Sequence, residues 1–422
     1  MSLAGKLKDY RVTEYCILVC VLFLKIWCGF VNQAFLFLAG GLISTMIDFA
    51  ICAYIMLNFK RENRSLKERV STDNFLIVWL LFSLIYAMIF FLGRDALPQN
   101  SFLGLFNLPK QIYNIVFMII YLCPLVMVLK NSTDEEKRQI SNFILAIFFA
   151  VALANLVTTI ANPDLVKSEA YDSEGSLFTL GYSGSYSLML ITPILMYKLG
   201  ETKHKVVMSV ILVCNLTSVF YGGYFIAILG TMIALLMYAI LGIKNKFFVL
   251  ILTLALVGSF VALIISGVLE DLMWYFADNI PIDVISGRCE DIAQYLSGDT
   301  DVTQADTTFR IFIYQDTFSQ FLNHPIFGNY FFGVYNCQWD HSTILDILSV
   351  GGLFLGGLFY AVIGFGYKFA CTFINKDRGR RALVAMIVSY VFIALVNSAL
   401  SYKNLGMLFV IAPIMMGGTE KK

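Results

Sequence analysis

Apolar runs of about 17–25 residues recur along this chain, and that pattern constrains the fold more than any single motif does. Hydrocarbon offers backbone N–H and C=O groups no partner, so each run must close its own hydrogen bonds as helix. The runs are continuously apolar rather than alternating, which excludes a β-barrel. With 59% hydrophobic and 14% charged residues, charge is close to half the roughly 25% of a soluble chain. A water-soluble fold and a disordered chain are therefore excluded too. The net charge of +1 gives no basic balance for nucleic acid. The fold class expected is all-α: a polytopic membrane protein whose first apolar segment is a retained helix, since no small-residue cleavage site follows it.

The sequence reads as about twelve transmembrane helices, at 12–30, 34–58, 75–92, 112–129, 140–160, 177–197, 206–220, 224–242, 247–267, 342–367, 383–399 and 405–417, the last extending back through 401–404. The connections test this count. With the N-terminus inside, most of the 30 Lys and Arg residues fall in cytoplasmic segments, as in the clusters around Lys60–Arg69 and Lys376–Arg381. Outer segments hold only Arg94, Lys110, Lys167, Arg288, Arg310 and Lys403, while Lys25 can snorkel from the outer end of span one. Adding or dropping one span would scramble that positive-inside alternation. Both termini are expected in the cytoplasm. The chain divides into spans 1–9 (1–267), an outer loop (268–341) and spans 10–12 (342–422).

The loop is long and reads as ordered. Leu269–Asn279 is apolar and aromatic, Asp283–Leu296 has helical spacing and ends at Gly298, and Thr307–Asn323 reads as a helix stopped by Pro325. On the third helix Phe309, Phe312, Ile313 and Phe321 lean to one side, and Arg310, Tyr314 and Thr317 share another. The expectation is an amphipathic helix on the outer mouth with its polar face available.

The loop is strongly acidic, so its two arginines stand out. Arg288 either pairs with Glu290 or Asp291, or binds a ligand; Arg310 is the stronger candidate for an anionic headgroup, because a guanidinium fork gives phosphate two hydrogen bonds at once. Among the histidines, His204 is solvated between lysines and His324 precedes Pro325 in a turn. His341 opens span ten at the outer surface, where an imidazole with a reference pKa of about 6.5 can act as a general base. It can equally be a plain helix-start residue. Asp346 and Asp48 are intramembrane acids, read either as functional or as interhelical partners. Asp299-Thr-Asp301 resembles a metal-binding DxD but lies in a polar linker outside the cell, where nucleotide sugars are absent. The basic run Asn375–Arg381 reads as a positive-inside anchor. Cysteines show no zinc spacing; a Cys289–Cys337 bridge is one option in an oxidising compartment.

The stretch TTFRIFIYQDTFSQFLNHPIFGNYFFGV, from Thr307, followed by DHSTILDILSVGGLFLGGLFY, resembles the O-antigen polymerase and ligase superfamily of bacterial envelope glycosyltransferases. It carries a small-residue pair before Arg310, a helix ending in His324-Pro325-Ile326-Phe327-Gly328, and His341 at the mouth of a Gly-rich span. The segment GYSGSYSLMLITPILM also resembles capsule and O-antigen polymerases. One departure is that Phe220-Tyr221-Gly222-Gly223 stands where ligases and many polymerases show Ser-Arg-Gly. That arginine's phosphate contact is either missing here or supplied by another residue such as Arg288, Lys403 or Arg94.

The resemblance implies an undecaprenyl-pyrophosphate-linked oligosaccharide as donor, an inverting and metal-independent glycosyl transfer without cofactor, and the inner membrane as location. His341 and Arg310 are the implied catalytic pair. Arg288, Tyr314, His324, Lys403, Arg94 and Tyr221 are the implied substrate-binding set. Expected partners are the lipid bilayer, a chain-length regulator and a flippase. Topology argues independently for a lipid-linked donor, since ATP and nucleotide sugars are unavailable outside the inner membrane. Asp-His-Ser at the mouth and the absent Ser-Arg-Gly favour a polymerase over a ligase transferring chains to lipid A-core. A transporter or flippase of lipid-linked oligosaccharide is the reading from another class.

Overall fold

The structure, a computed structural model, describes residues 19, 21, 23, 46–54, 74–92, 122–130, 132–161, 181–222, 224–280, 283–298, 306–334 and 341–417. Among the described residues every regular element is helical. The order is α1 (Asn74–Leu92), α2 (Asp134–Ala161), α3 (Gly181–Glu201), α4 (Lys205–Tyr221), α5 (Phe225–Ile240) and α6 (Lys246–Ile265). Three loop helices follow, α7 (Val268–Asn279), α8 (Asp283–Ser297) and α9 (Asp306–Asn323), then a 3-10 turn at Tyr330–Phe332. Next come α10 (Thr343–Cys371), α11 (Asp377–Val396), α12 (Tyr402–Gly406), a π turn at Met407–Ile411 and α13 (Ala412–Gly417).

The protein is a helical membrane protein. By length and composition α2, α10 and α11 can each cross a bilayer. Among the described residues the twelve spans read from the sequence are thus not reproduced in full: α4 and α5, for example, are apolar but shorter than the ~20 residues a full crossing takes. Spans one, two and four lie mostly outside the described residues. The two loop helices read from the sequence fall within one residue of the expected ends, and the apolar, aromatic segment before them is helical as well, Val268–Asn279. Span eleven differs: it begins at Asp377 rather than 383 and stops at Val396. Asn397 ends it by turning to extended backbone, φ −157° and ψ 169°.

Local chemistry sets several helix starts. Ahead of α2, Thr133 accepts from the Glu136 amide at 3.3 Å while the Glu136 carboxylate accepts from the Thr133 amide at 2.7 Å, a reciprocal capping box. Ser342 caps α10 by accepting from Leu345 N, and Ser401 caps α12 by accepting from Asn404 N, both at 3.2 Å. Between helices, buried polar side chains act as glue where lipid supplies no hydrophobic drive. Asn155 on α2 donates to Ser218 Oγ on α4 at 2.9 Å, Asn215 on α4 to Thr192 Oγ1 on α3 at 3.0 Å, and Ser389 on α11 to the Gly230 carbonyl on α5 at 2.7 Å. A Cβ on Gly230 would lie 2.3 Å from Met189 Sδ, so α5 approaches closely there and a side chain would displace the methionine. The aromatic core stacks Phe75 on Phe369, with ring centroids 5.3 Å apart. At one end of the bundle, Glu201 on α3 pairs with Lys376 beside α11.

One helix is broken. Within α10, Gly352 has φ 64° and ψ −163°, far from helical values. The segment after α9 fills the break: Leu353 N donates to the Pro325 carbonyl at 2.8 Å and Phe354 N to the Ile326 carbonyl at 3.0 Å. On the other side of the break, Asn329 donates to the Ser349 carbonyl from its backbone at 2.9 Å and from Nδ2 at 3.0 Å. Helix-end groups that would otherwise be orphaned are thereby satisfied. Gly328, also at positive φ (77°), passes so close that a Cβ there would lie 2.3 Å from the Val350 carbonyl oxygen.

Candidate functional site

The end of α11 gathers the chemistry. Its last carbonyls are taken up by side chains from two other helices. Tyr314, on α9, donates its hydroxyl to the Val396 carbonyl at 2.6 Å. Ser342 Oγ donates to the Ala394 carbonyl at 3.4 Å, and Thr343 N to the Asn397 carbonyl at 3.2 Å. Thr343 Oγ1 accepts from Ala399 N at 2.7 Å and Leu400 N at 3.2 Å, so the first turn of α10 is stitched to the segment between α11 and α12. From α3, Tyr186 Oη accepts from Asn397 Nδ2 at 2.6 Å.

This arrangement fixes the neighbourhood of the catalytic candidates. Arg310 lies one helical turn before Tyr314 on the same face of α9, and His341 directly precedes Ser342. Both are partly buried. Lys403 is in α12, just past the stitched segment. The helix bearing Arg310 and the capped start of α10, which His341 precedes, thus dock on neighbouring carbonyls of one helix end. Asp346, in the first turn of α10, is buried.

The orientation of α9 corrects one expectation. Its polar stripe is turned inward: Thr317 is 1% exposed and Arg310 and Tyr314 are half-buried, beside a buried Ile313 from the apolar set, while Phe312, Phe318 and Leu322 face out. Tyr314's bond to Val396, with Ile313 and Thr317 buried on the same side, holds this face against the bundle.

The remaining candidates are placed elsewhere or held locally. Arg288 forms an ion pair with Asp291 at 3.1 Å within α8, the structural alternative for that residue. His324 stacks on Phe332 with centroids 4.2 Å apart. It sits beyond the far end of α9 from Arg310, roughly 20 Å away along the helix at 1.5 Å per residue. Tyr221 ends α4, exposed and edge-on to Phe220 at 5.9 Å. Arg94 and Cys337 lie outside the described residues. Cys289 is a buried free thiol, so it takes part in no bridge, and burial pushes its pKa up.

Tyr186, Thr343 and Asn397 were not singled out from the sequence. The available signal was the polar sequence Asn397-Ser398 interrupting an apolar run, together with a tyrosine in the GYSGSY segment.

Residues 210–329 match the family model described as O-Antigen ligase. The match supports the O-antigen polymerase and ligase superfamily. It runs from α4 through the loop helices to Asn329, so it contains Arg288, Arg310, Tyr314 and His324 and stops short of His341 and Lys403. The residues that carry the resemblance in the sequence begin at Thr307; the matched stretch extends it back to residue 210. No curated protein matches the chain.

Proposed function

We propose that this chain is an inverting polysaccharide polymerase, joining undecaprenyl-pyrophosphate-linked repeat units on the outer face of the bacterial inner membrane. Twelve spans with both termini in the cytoplasm belong to this reading and rest on the Lys and Arg distribution. The observation that carries it is the docking of α9, bearing Arg310, and of the start of α10, next to His341, on one end of α11.

In the proposed reaction the His341 imidazole takes the proton of the acceptor sugar hydroxyl as that oxygen attacks the anomeric carbon of the donor. The bond from the anomeric carbon to the pyrophosphate oxygen breaks from the opposite face, and configuration inverts. The leaving pyrophosphate keeps its lipid and gains negative charge, which Arg310 stabilises through its guanidinium. In this reading Lys403 and Arg288 assist Arg310 at the pyrophosphate, Arg288 by exchanging its Asp291 partner for phosphate, Tyr314 holds α9 in register, and no metal is invoked.

The test is reconstitution. Full-length protein in liposomes with a lipid-linked repeat should lengthen the glycan, and His341→Ala and Arg310→Ala should abolish extension while folding normally. Arg310→Lys keeps the charge but loses the planar fork and should remain strongly impaired. Full activity in His341→Ala or Arg310→Ala defeats the assignment.

The description of the matching family favours a second reading, ligation of a finished chain to lipid A-core. A strain lacking a polymerase leaves single capped repeats on a gel; one lacking a ligase accumulates long lipid-linked chains. Movement of lipid-linked sugar across the liposome membrane without lengthening would point instead to a transporter.

A further inference from the structure

The hairpin His324–Val334 belongs by sequence to the water-exposed loop, yet its chemistry is that of a buried or lipid-facing segment. Much of its polar backbone is turned inward and hydrogen-bonded. The Pro325 and Ile326 carbonyls accept from α10 beyond the Gly352 break, Asn329 N donates to Ser349, and the amides of Phe332 and Val334 return to the Asn329 carbonyl at 3.0 Å. Its outward side chains are apolar: Ile326, Phe327, Phe331 and Phe332 are exposed, and Phe331 is 70% so. Phe327 packs against Phe331 and against Phe354, which lies on α10 itself, so the aromatic surface runs without interruption from the hairpin onto the span. Non-helical backbone persists at membrane depth only where protein satisfies it, and this hairpin meets that condition at the bonds named.

The length of α10 says where the hairpin sits. From Gly352 to Cys371 the helix has about 20 residues, roughly 30 Å at 1.5 Å per residue, which is the thickness of the hydrocarbon core. The part beyond the break can therefore cross the core alone. The break, and the hairpin clamped on it, then fall at the hydrocarbon boundary of the loop-bearing leaflet.

We propose that His324–Val334 is immersed in that leaflet, with Phe327, Phe331 and Phe332 against the acyl chains of bilayer lipids. On the topology proposed above, this is the outer leaflet. The hairpin is a lipid-embedded shoulder of α10 that tethers one end of α9 to the membrane and so sets the height of the helix carrying Arg310.

The test uses full-length protein in vesicles of phosphatidylcholine, with and without bromine on the acyl chains. Phe331→Trp and Phe327→Trp each add fluorescence in the hairpin, and Ser297→Trp adds it at an exposed position at the end of α8. Brominated lipid should quench most of the added fluorescence of the hairpin variants, while aqueous iodide leaves it unchanged. Ser297→Trp should behave in the opposite way. If one hairpin variant fails to fold, the other carries the measurement. Quenching by iodide to the same degree as Ser297→Trp, without response to bromine, overturns the proposal. The readout is optical, so it stands or falls separately from glycosyl transfer.

Discussion

Tyr314 donates its hydroxyl to the carbonyl of Val396 at 2.6 Å, joining the loop helix α9 to the last turn of α11 across a long stretch of sequence. Tyr314→Phe keeps the ring and removes that bond, leaving a carbonyl at the end of α11 without its phenol. The expected cost is about 1–2 kcal/mol, seen as a lowered thermal midpoint. Under the proposed function, glycan extension should fall further than stability alone explains. A shift of about 1 Å at Arg310 misaligns the donor, and misplacement of that size costs as much as 10²-fold in rate. Tyr314→Phe activity equal to the unsubstituted protein would show that the bond is not needed to place α9.

Thr343 gives a second lever on the same end of the bundle. Its hydroxyl accepts from two backbone amides, Ala399 N and Leu400 N. Thr343→Val keeps the shape and strips both bonds, and the expected loss is about 2–4 kcal/mol from two orphaned donors. Thr343→Ser restores the oxygen and should recover most of that stability, which thermal unfolding of the two purified variants would compare.

Gly352 tests the break in α10. A Cβ there would lie 2.4 Å from the Ile326 carbonyl oxygen, at a φ of 64° that side chains rarely adopt. Gly352→Ala should cost several kcal/mol, on the order of 3 or more, from strain and displaced backbone together. Asn329→Ala, which removes the side-chain donor to the Ser349 and Gln320 carbonyls while leaving the backbone bond to Ser349, should cost about 1–3 kcal/mol. The yield of monodisperse protein on size-exclusion chromatography should rank the variants in that order, Gly352→Ala lowest.

Cys289 makes a chemical prediction. The thiolate is the reactive form, and burial raises this thiol's pKa above its ordinary value, so the thiolate fraction at neutral pH falls below that of an exposed cysteine. Alkylation of Cys289 in folded protein should be slow at neutral pH, speed up only as pH rises, and become fast on unfolding. Peptide mapping without reductant should recover Cys289 unbridged, and Cys289→Ser should leave the polysaccharide ladder unchanged.

The residues of this chain determined its helical, membrane-spanning class and the limits of its loop helices. Continuous apolar runs leave backbone no partner but its own helix, and signals such as Ser342, Gly298 and Pro325 act within a few residues of where they stand. Arg310 and His341 could be named for the same local reason: a cation kept in an acidic loop, and an imidazole at the mouth of a span. Tertiary structure decided what local pattern does not encode. The stripe on α9 looked like an available polar face, but a phenol seated on α11 turned it inward. Arg288 found its counter-charge one turn away, and Cys289 was buried as a free thiol. The His-Pro-Ile-Phe-Gly turn became intelligible only beside Gly352, because its backbone groups pair with a helix break that lies further along the chain. Hydrogen bonds between distant segments depend on how helices pack, and packing depends on the whole set of faces at once.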